Sequence, residues 1–216
     1  MKNKKLIIWD WNGTLLNDID ACIKSMNVML QRRNMKLLDE ETYKKIFTFP
    51  VQEYYKSIGF DFLDEPFEQL SVEYIDLYKE YSLDVPLQQG VLNALSFFKS
   101  EGFQQVILSA SEQITLEKQV NQHQLHFYFE ELIGLNNIYA KSKLENAMNY
   151  QKKSGISSSR TVLIGDTYHD FEVAKVMGCD CLLVNNGHQD LSRYPLDANM
   201  ILSTLADISN QFSILN

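Results

Sequence analysis

The sequence predicts an α/β protein: a doubly wound parallel sheet with one all-helical segment inserted after the first strand. Three observations predict it. Short apolar runs recur without the strict alternation of a half-exposed strand, so they read as strands buried on both faces. Three later runs each follow a helical stretch and a glycine, and glycine just past a helix end is a common C-cap. The stretch from 18 to 84, by contrast, has helical spacing, a single glycine and no convincing strand.

Taken in order, Leu6–Trp9 is the first run. Ile19, Cys22, Ile23, Met26 and Leu30 then fall at helical spacing, as do Phe67, Leu70, Tyr74, Leu77, Tyr78 and Tyr81. The 18–84 segment holds 11 of the chain's 25 aromatic residues, enough bulky apolar surface for a small helical bundle. It closes near Pro86 and Gly90. Gly102 precedes the run Val106–Leu108, Leu132–Ile133 follows, Gly155 precedes Val162–Ile164, and Gly178 precedes Cys181–Val184. The expected division is an α/β core of residues 1–16 and 86–216, with a helical domain of residues 17–85 inserted in it.

The 216 residues are long enough to bury a core without staples, and a 22% charged fraction excludes global disorder. The net charge of −8 argues against nucleic-acid or anionic-membrane binding, both of which need a basic surface. That charge is uneven. Residues 18–84 carry 14 acidic and 8 basic side chains, and the rest of the chain 14 and 12. A broad polyanion surface is excluded; a small anion at a local site is not. Cys22, Cys179 and Cys181 are too few for a disulfide framework and complete no metal motif, which suits the reducing cytoplasm. Met1–Lys5 is basic, but the apolar run after it stops at Asp10, so neither a signal peptide nor a membrane span is expected.

Four features carry chemistry. The first run ends in Asp10-Trp11-Asn12-Gly13-Thr14, an acid at a strand tip followed by a glycine turn, where α/β folds place ligands. A strand-end aspartate also serves simply as a turn cap. Gly165-Asp166-Thr167-Tyr168-His169-Asp170 follows another run. Asp166 and Asp170, with Asp10, would supply the oxygen ligands that a hard cation such as Mg²⁺ takes. Ser109-Ala110-Ser111 closes the Val106–Leu108 run, where a hydroxyl and backbone N–H groups suit phosphate oxygens as well as a helix cap. Lys143 stands just before the helical stretch Leu144–Lys153; a lone lysine there is ordinarily solvated, but beside a phosphate it would neutralise charge.

In this order the features resemble the four motifs of the haloacid dehalogenase superfamily of phosphohydrolases. Asp10–Thr14 match motif I, Ser109 motif II, Lys143 motif III and Gly165–Asp170 motif IV, over a span from Lys5 to about Val184. The Pro86–Val91 stretch is similar to that of phosphoglycolate phosphatase-like members, and the insertion looks like the superfamily's helical cap of the first type. The resemblance implies a Rossmann-like core and an aspartyl-phosphate formed on Asp10. It implies Mg²⁺ held by Asp10, Asp166, Asp170 and the Asn12 carbonyl. Ser109, Ala110, Lys143 and the Trp11 backbone would cradle the phosphate, and Phe47, Thr48 and Phe49 of the cap would select the leaving group. The expected partner is a small phosphorylated metabolite; oligomeric state has no signature.

One position departs from the pattern. The family's second motif I aspartate is Asn12 here. Its backbone still serves a metal, but an amide neither protonates a leaving group nor deprotonates water, help worth roughly 10²–10⁴ in rate. His169 and Glu112 are candidate substitutes. Three alternatives stay open. A dehalogenase proper would leave Asp166 and Asp170 unexplained. A phosphonoacetaldehyde hydrolase-like enzyme would need a Schiff-base lysine, and only Lys44, Lys45 and Lys56 flank the cap loop Phe47–Gln52. A binding module without activity would have lost one acid while keeping every other motif residue.

Overall fold

A computed structural model describes residues 5–135, 143–209 and 212. Apart from Lys5, the basic stretch Met1–Lys5 lies outside these residues. The chain forms a six-stranded parallel sheet in the order β3-β2-β1-β4-β5-β6. The strands are β1 (Leu6–Trp9), β2 (Gln104–Glu112), β3 (Glu131–Leu135), β4 (Thr161–Gly165), β5 (Asp180–Val184) and β6 (Ile201–Leu202). The helices are α1 (Ile19–Arg32), α2 (Glu40–Ile46), α3 (Val51–Ile58), α4 (Phe67–Tyr81), α5 (Val91–Ser100), α6 (Gln113–Gln122), α7 (Lys143–Ser154) and α8 (Tyr168–Met177).

Alternate residues of each strand serve opposite faces. Ile7, Trp9, Ile107, Val162 and Ile164 pack on one face with Leu95 and Phe98 of α5 and Leu116 and Val120 of α6. Leu6, Ile8, Val106, Leu108 and Leu163 pack on the other with Ala147 of α7 and Val173, Ala174 and Met177 of α8. Burial on both faces is why these strands read as continuous apolar runs. Gly178 ends α8 in the left-handed conformation, φ 69°, which only glycine adopts without strain.

Between β1 and α5 the structure holds four helices and, among the described residues, no strand. Their interior is a separate aromatic-rich cluster that includes Met26, Met29 and Leu30 of α1, Tyr43 of α2, Tyr54 and Tyr55 of α3, and Phe67 and Leu77 of α4. Arg33 forks onto Glu65 through two 2.7 Å bonds and reaches Glu73 at 2.7 Å, tying the end of α1 to α4.

Two expectations change. The run expected to end at Leu108 continues as strand to Glu112, because Ser109, Ala110 and Ser111 are small and nothing there breaks the chain; the pairing with β3 shifts register between Leu108 and Glu112. Strand β6 is added at the sheet edge beyond β5. Cys22 and Cys181 are buried free thiols. Among the described residues no helix is long and apolar enough to cross a membrane.

Candidate active site

The register of the sheet assembles the site. Trp9 pairs with Ile107 on one side and Ile164 on the other, so Asp10, the end of β2 and Asp166 emerge at one edge. Asp10 N–H donates to the Ile164 carbonyl at 2.8 Å, fixing the Asp10 loop to β4. Asp10, Asp166 and Asp170 are buried, with carboxylate oxygens within 4.8 Å of one another. Lys143 Nζ donates to Asp10 Oδ1 and to Asp170 Oδ1, both at 2.6 Å. The Asp170 Oδ2 accepts from Thr167 Oγ1 at 2.7 Å and Thr167 N at 3.0 Å, so the acid also closes a capping box on α8. Asp166 accepts from Thr14 Oγ1 at 3.0 Å and from the His188 N–H at 2.6 Å.

Crowding three buried carboxylates is electrostatically costly. Burial first, and the charges of Asp170 and Asp166 next, push Asp10 well above the ordinary carboxylate range against the pull of Lys143. Burial and Asp170 lift Asp166 to about 6, although His188 draws it down. Asp170 stays low: Lys143 outweighs its burial. Gly13 and Gly187 bring the backbone against Asp166, and a Cβ on either would collide with its carboxylate.

Asn12 sits beside this cluster with its amide fully engaged. Its Nδ2 donates to Asp18 Oδ2 at 2.6 Å and to Tyr78 Oη at 2.8 Å. Its Oδ1 accepts from Ser111 Oγ at 2.6 Å and, more weakly, from Ser109 Oγ at 3.4 Å. Asp18 in turn accepts from Gly13 N at 2.9 Å, Tyr78 Oη at 2.7 Å and His188 Nε2 at 3.2 Å. His188 Nδ1 lies 2.9 Å from Tyr43 Oη. Asp18 and His188 form a buried ion pair: burial works against both charges, but His188 draws Asp18 down to about 2 and Asp18 lifts His188 to about 9.

A cavity of about 190 Å³ opens from Asp10, Asn12 and Lys143 into the helical segment. Phe47 and Phe49 line it. Thr48 lies between them, half-buried, its hydroxyl 3.4 Å from the Phe49 carbonyl. Ala110 lines the cavity beside Ser111, while Ser109 is buried and accepts from Ser111 N at 3.0 Å. The Trp11 indole is buried and donates to Gln119 at 2.8 Å, so only its backbone is available toward Asp10.

The two candidate substitutes for the missing acid are otherwise engaged. The His169 ring stacks on Phe49 at 4.7 Å, and Glu112 pairs with Lys79 at 3.2 Å. Lys44, Lys45 and Lys56 are bound to Glu40, Glu41 and Glu53 and do not line the cavity. Asp18, Lys79 and His188 have no place in the sequence reading, Tyr78 enters it only as a helix-face position, and Ser111 only as the last residue of the Ser109–Ser111 stretch. For His188 a signal existed: Gly187-His188 follows the β5 run as Gly13 and Asp166 accompany theirs.

The fold and the cluster together define a doubly wound α/β protein with an oxygen-rich acidic site at the carboxyl ends of its strands, beneath a helical insertion. The model for haloacid dehalogenase-like hydrolases matches residues 7–184, and the chain belongs to that family. It is 21% identical over 211 residues to the probable phosphatase IndB of Dickeya dadantii (strain 3937), covering 95% of this chain and 92% of that one. It is 26% identical over 179 residues to the pyrophosphatase PpaX of Listeria monocytogenes serotype 4a (strain HCC23), covering 78% and 77%. A crystal structure of a predicted phosphoglycolate phosphatase from Haemophilus somnus 129pt shares the fold with a TM-score of 0.76 at 19% identity over 100% of both chains.

Proposed function

We propose that the protein is a Mg²⁺-dependent phosphatase of small phosphorylated metabolites, working through an aspartyl-phosphate on Asp10. The observation that carries the reading is the Asp10–Lys143–Asp170 bridge, 2.6 Å on each side, beside Asp166, with Asp10 and Lys143 lining the cavity. Phosphatase relatives support it. Residues 1–16 and 86–216 would be the catalytic core and 17–85 the cap.

The donor set fits a hard divalent cation: Asp10, Asp166 and Asp170 offer carboxylate oxygens only, and their mutual repulsion is what such an ion relieves. Those three residues, with the Asn12 carbonyl, would hold Mg²⁺. When bound, it would screen the substrate's negative charge from the nucleophile. The chain's own residues do the rest. An Asp10 carboxylate oxygen attacks phosphorus as the ester P–O bond breaks. Lys143 holds the attacking carboxylate in place and offsets charge on the transferring group. Ser109 and the backbone of Trp11 and Ala110 cradle its oxygens. Phe47, Thr48 and Phe49 close over the leaving group and exclude water.

Asp10→Asn tests this. The variant is expected to lose p-nitrophenyl phosphate turnover in Mg²⁺ while keeping the wild-type circular dichroism spectrum. Turnover at the wild-type rate would refute the nucleophile.

A further inference from the structure

The cavity wall beyond Asp10 is aromatic. Tyr43, Phe47, Phe49, Tyr54, Tyr74 and Tyr78 all line it. Phe47 meets Phe49 and Tyr54 edge to face, with centroids 5.6 and 5.2 Å apart, the geometry in which rings accept a further ring. The cations among the described lining residues are all matched: Lys143 by Asp10 and Asp170, Lys79 by Glu112, and His188 by Asp18. A second anionic group on the substrate would therefore be buried without a partner, which is strongly unfavourable. The Tyr54 hydroxyl is buried with no hydrogen-bond partner among the described residues.

The reacting end gives an independent constraint. On the phosphatase reading, the residue two after Asp10 would protonate the leaving group; Asn12 stands there, and both its N–H bonds are spent on Asp18 and Tyr78. Its orientation is fixed, because the acceptor-only Asp18 carboxylate at 2.6 Å requires the amide nitrogen. The carboxyl groups nearby are engaged too: Asp18 with His188, Glu112 with Lys79. A leaving group that departs as an anion needs no such donor. A phenol ionises near pH 10, as the tyrosine side chain does. An alkoxide leaves as a base comparable to hydroxide, whose parent water has a pKa of about 15.7.

We propose that the site takes an aryl phosphate monoester, a phosphate on an uncharged aromatic leaving group. This rests on the phosphatase reading above and adds the substrate class. The Asp10 oxygen forms the new bond to phosphorus as the aryl P–O bond breaks, and the electron pair leaves on the phenolate oxygen, which solvent protonates. Water then cleaves the aspartyl-phosphate to inorganic phosphate and restores Asp10. The ring lies against the aromatic wall.

The test compares phenyl phosphate, benzyl phosphate, phosphoglycolate and pyrophosphate by kcat and KM with the whole protein in Mg²⁺. The first two share a ring and differ in leaving group. Phenyl phosphate is expected to be the best substrate, and benzyl phosphate to match its KM within about threefold while losing roughly 10² in kcat. Phosphoglycolate and pyrophosphate are expected to show KM values at least about tenfold higher. Calorimetry with phenylphosphonate and phosphonoacetate, neither of which is hydrolysed, reads the pocket without turnover, and phenylphosphonate is expected to bind more tightly. Preference for phosphoglycolate or pyrophosphate, or tighter binding of phosphonoacetate, overturns the aryl proposal and leaves the phosphatase reading standing. Tighter binding of phenylphosphonate with no turnover of any ester overturns the phosphatase reading and the substrate class with it, leaving only an aromatic anion site. Neither binding nor turnover overturns both.

Discussion

Asp18→Asn separates the buried pair from everything else at the site. Asp18 stands just before α1, and His188 on the loop after β5. The carboxylate lifts His188 from 6.5 to about 9 against the opposing effect of burial. At 1.36 kcal/mol per unit, that shift is worth about 3 kcal/mol. The loss expected when one partner of a buried pair is removed is about 3–5 kcal/mol. Both figures describe one interaction and are not summed. In addition, an amide at 18 turns N–H bonds toward donors that the carboxylate now accepts from: Asn12, Gly13 and Tyr78. The sign follows from the direction of the shift. His188 binds its proton more tightly folded than unfolded, so its contribution is complete below pH 6.5 and is lost as the pH rises through about 9. Asp18 is held down to about 2, so its contribution is present above its ordinary 3.8 and is lost as the pH falls through about 2. Between these limits the pair is intact. At about 2–4 °C per kcal/mol for a chain of this size, Asp18→Asn is expected to lower Tm by about 6–12 °C at pH 6. The gap should narrow at pH 10, where the wild-type protein has lost the same interaction. Circular dichroism melts of both proteins at pH 6, 8 and 10 measure it. An equal gap at pH 6 and pH 10, or none at pH 6, would refute the buried ion pair.

Other expectations follow from the same contacts. Gly13→Ala puts a Cβ into the Asp166 carboxylate and the His188 ring at a backbone φ of 71°; it is expected to cost more than about 1 kcal/mol, read as a drop in Tm. Asn12→Asp places a second carboxylate 2.6 Å from Asp18, so one of the two must hold a proton. Its pKa is raised in the folded state, and stability is expected to fall between pH 5 and pH 8; adding Asp18→Asn should recover it, and a pH-independent Tm for the single variant would count against the contact. Mg²⁺ is expected to raise Tm over an EDTA-treated sample, and this gain should vanish in Asp166→Ala; an unchanged melt in both would remove the metal from the site.

What the sequence showed and what it hid have different physical origins. The sheet was legible because strands buried on both faces must be apolar throughout, and Leu6–Trp9 and Val162–Ile164 are. Their tips were legible because an acid after such a run has few structural reasons to be there. The end of β2 was not: Ser109 to Ser111 have weak strand preference, and pairing with β3 carries them into the sheet. Helix α2 carries no long apolar stripe, because only Tyr43 along it is buried. Asp18 misled most. An aspartate just before a helical pattern reads as an N-cap, yet its side chain makes no capping bond to α1 and turns to Asn12, Gly13 and His188 instead. His188 lies 170 residues further on, and no spacing rule joins the two.

Position 12 shows how one exchange reorganises a site. An aspartate there would face Asp18 as like charge against like charge. An asparagine answers every neighbour: two N–H donors for Asp18 and Tyr78, one carbonyl for Ser111. The amide and Asp18 therefore belong together, since the carboxylate at 18 is what makes an N–H donor at 12 favourable. The result joins the start of α1, the end of α4 and the tip of β2 two residues from Asp10. It ties down the turn that carries Asp10. On the proposed mechanism it leaves no proton donor on the leaving-group side, and what remains is attack by Asp10 with charge neutralisation by Lys143. A site of that kind would suit leaving groups that depart as stable anions, and on the aryl proposal the aromatic wall facing it would select among these by shape and by the absence of a second charge.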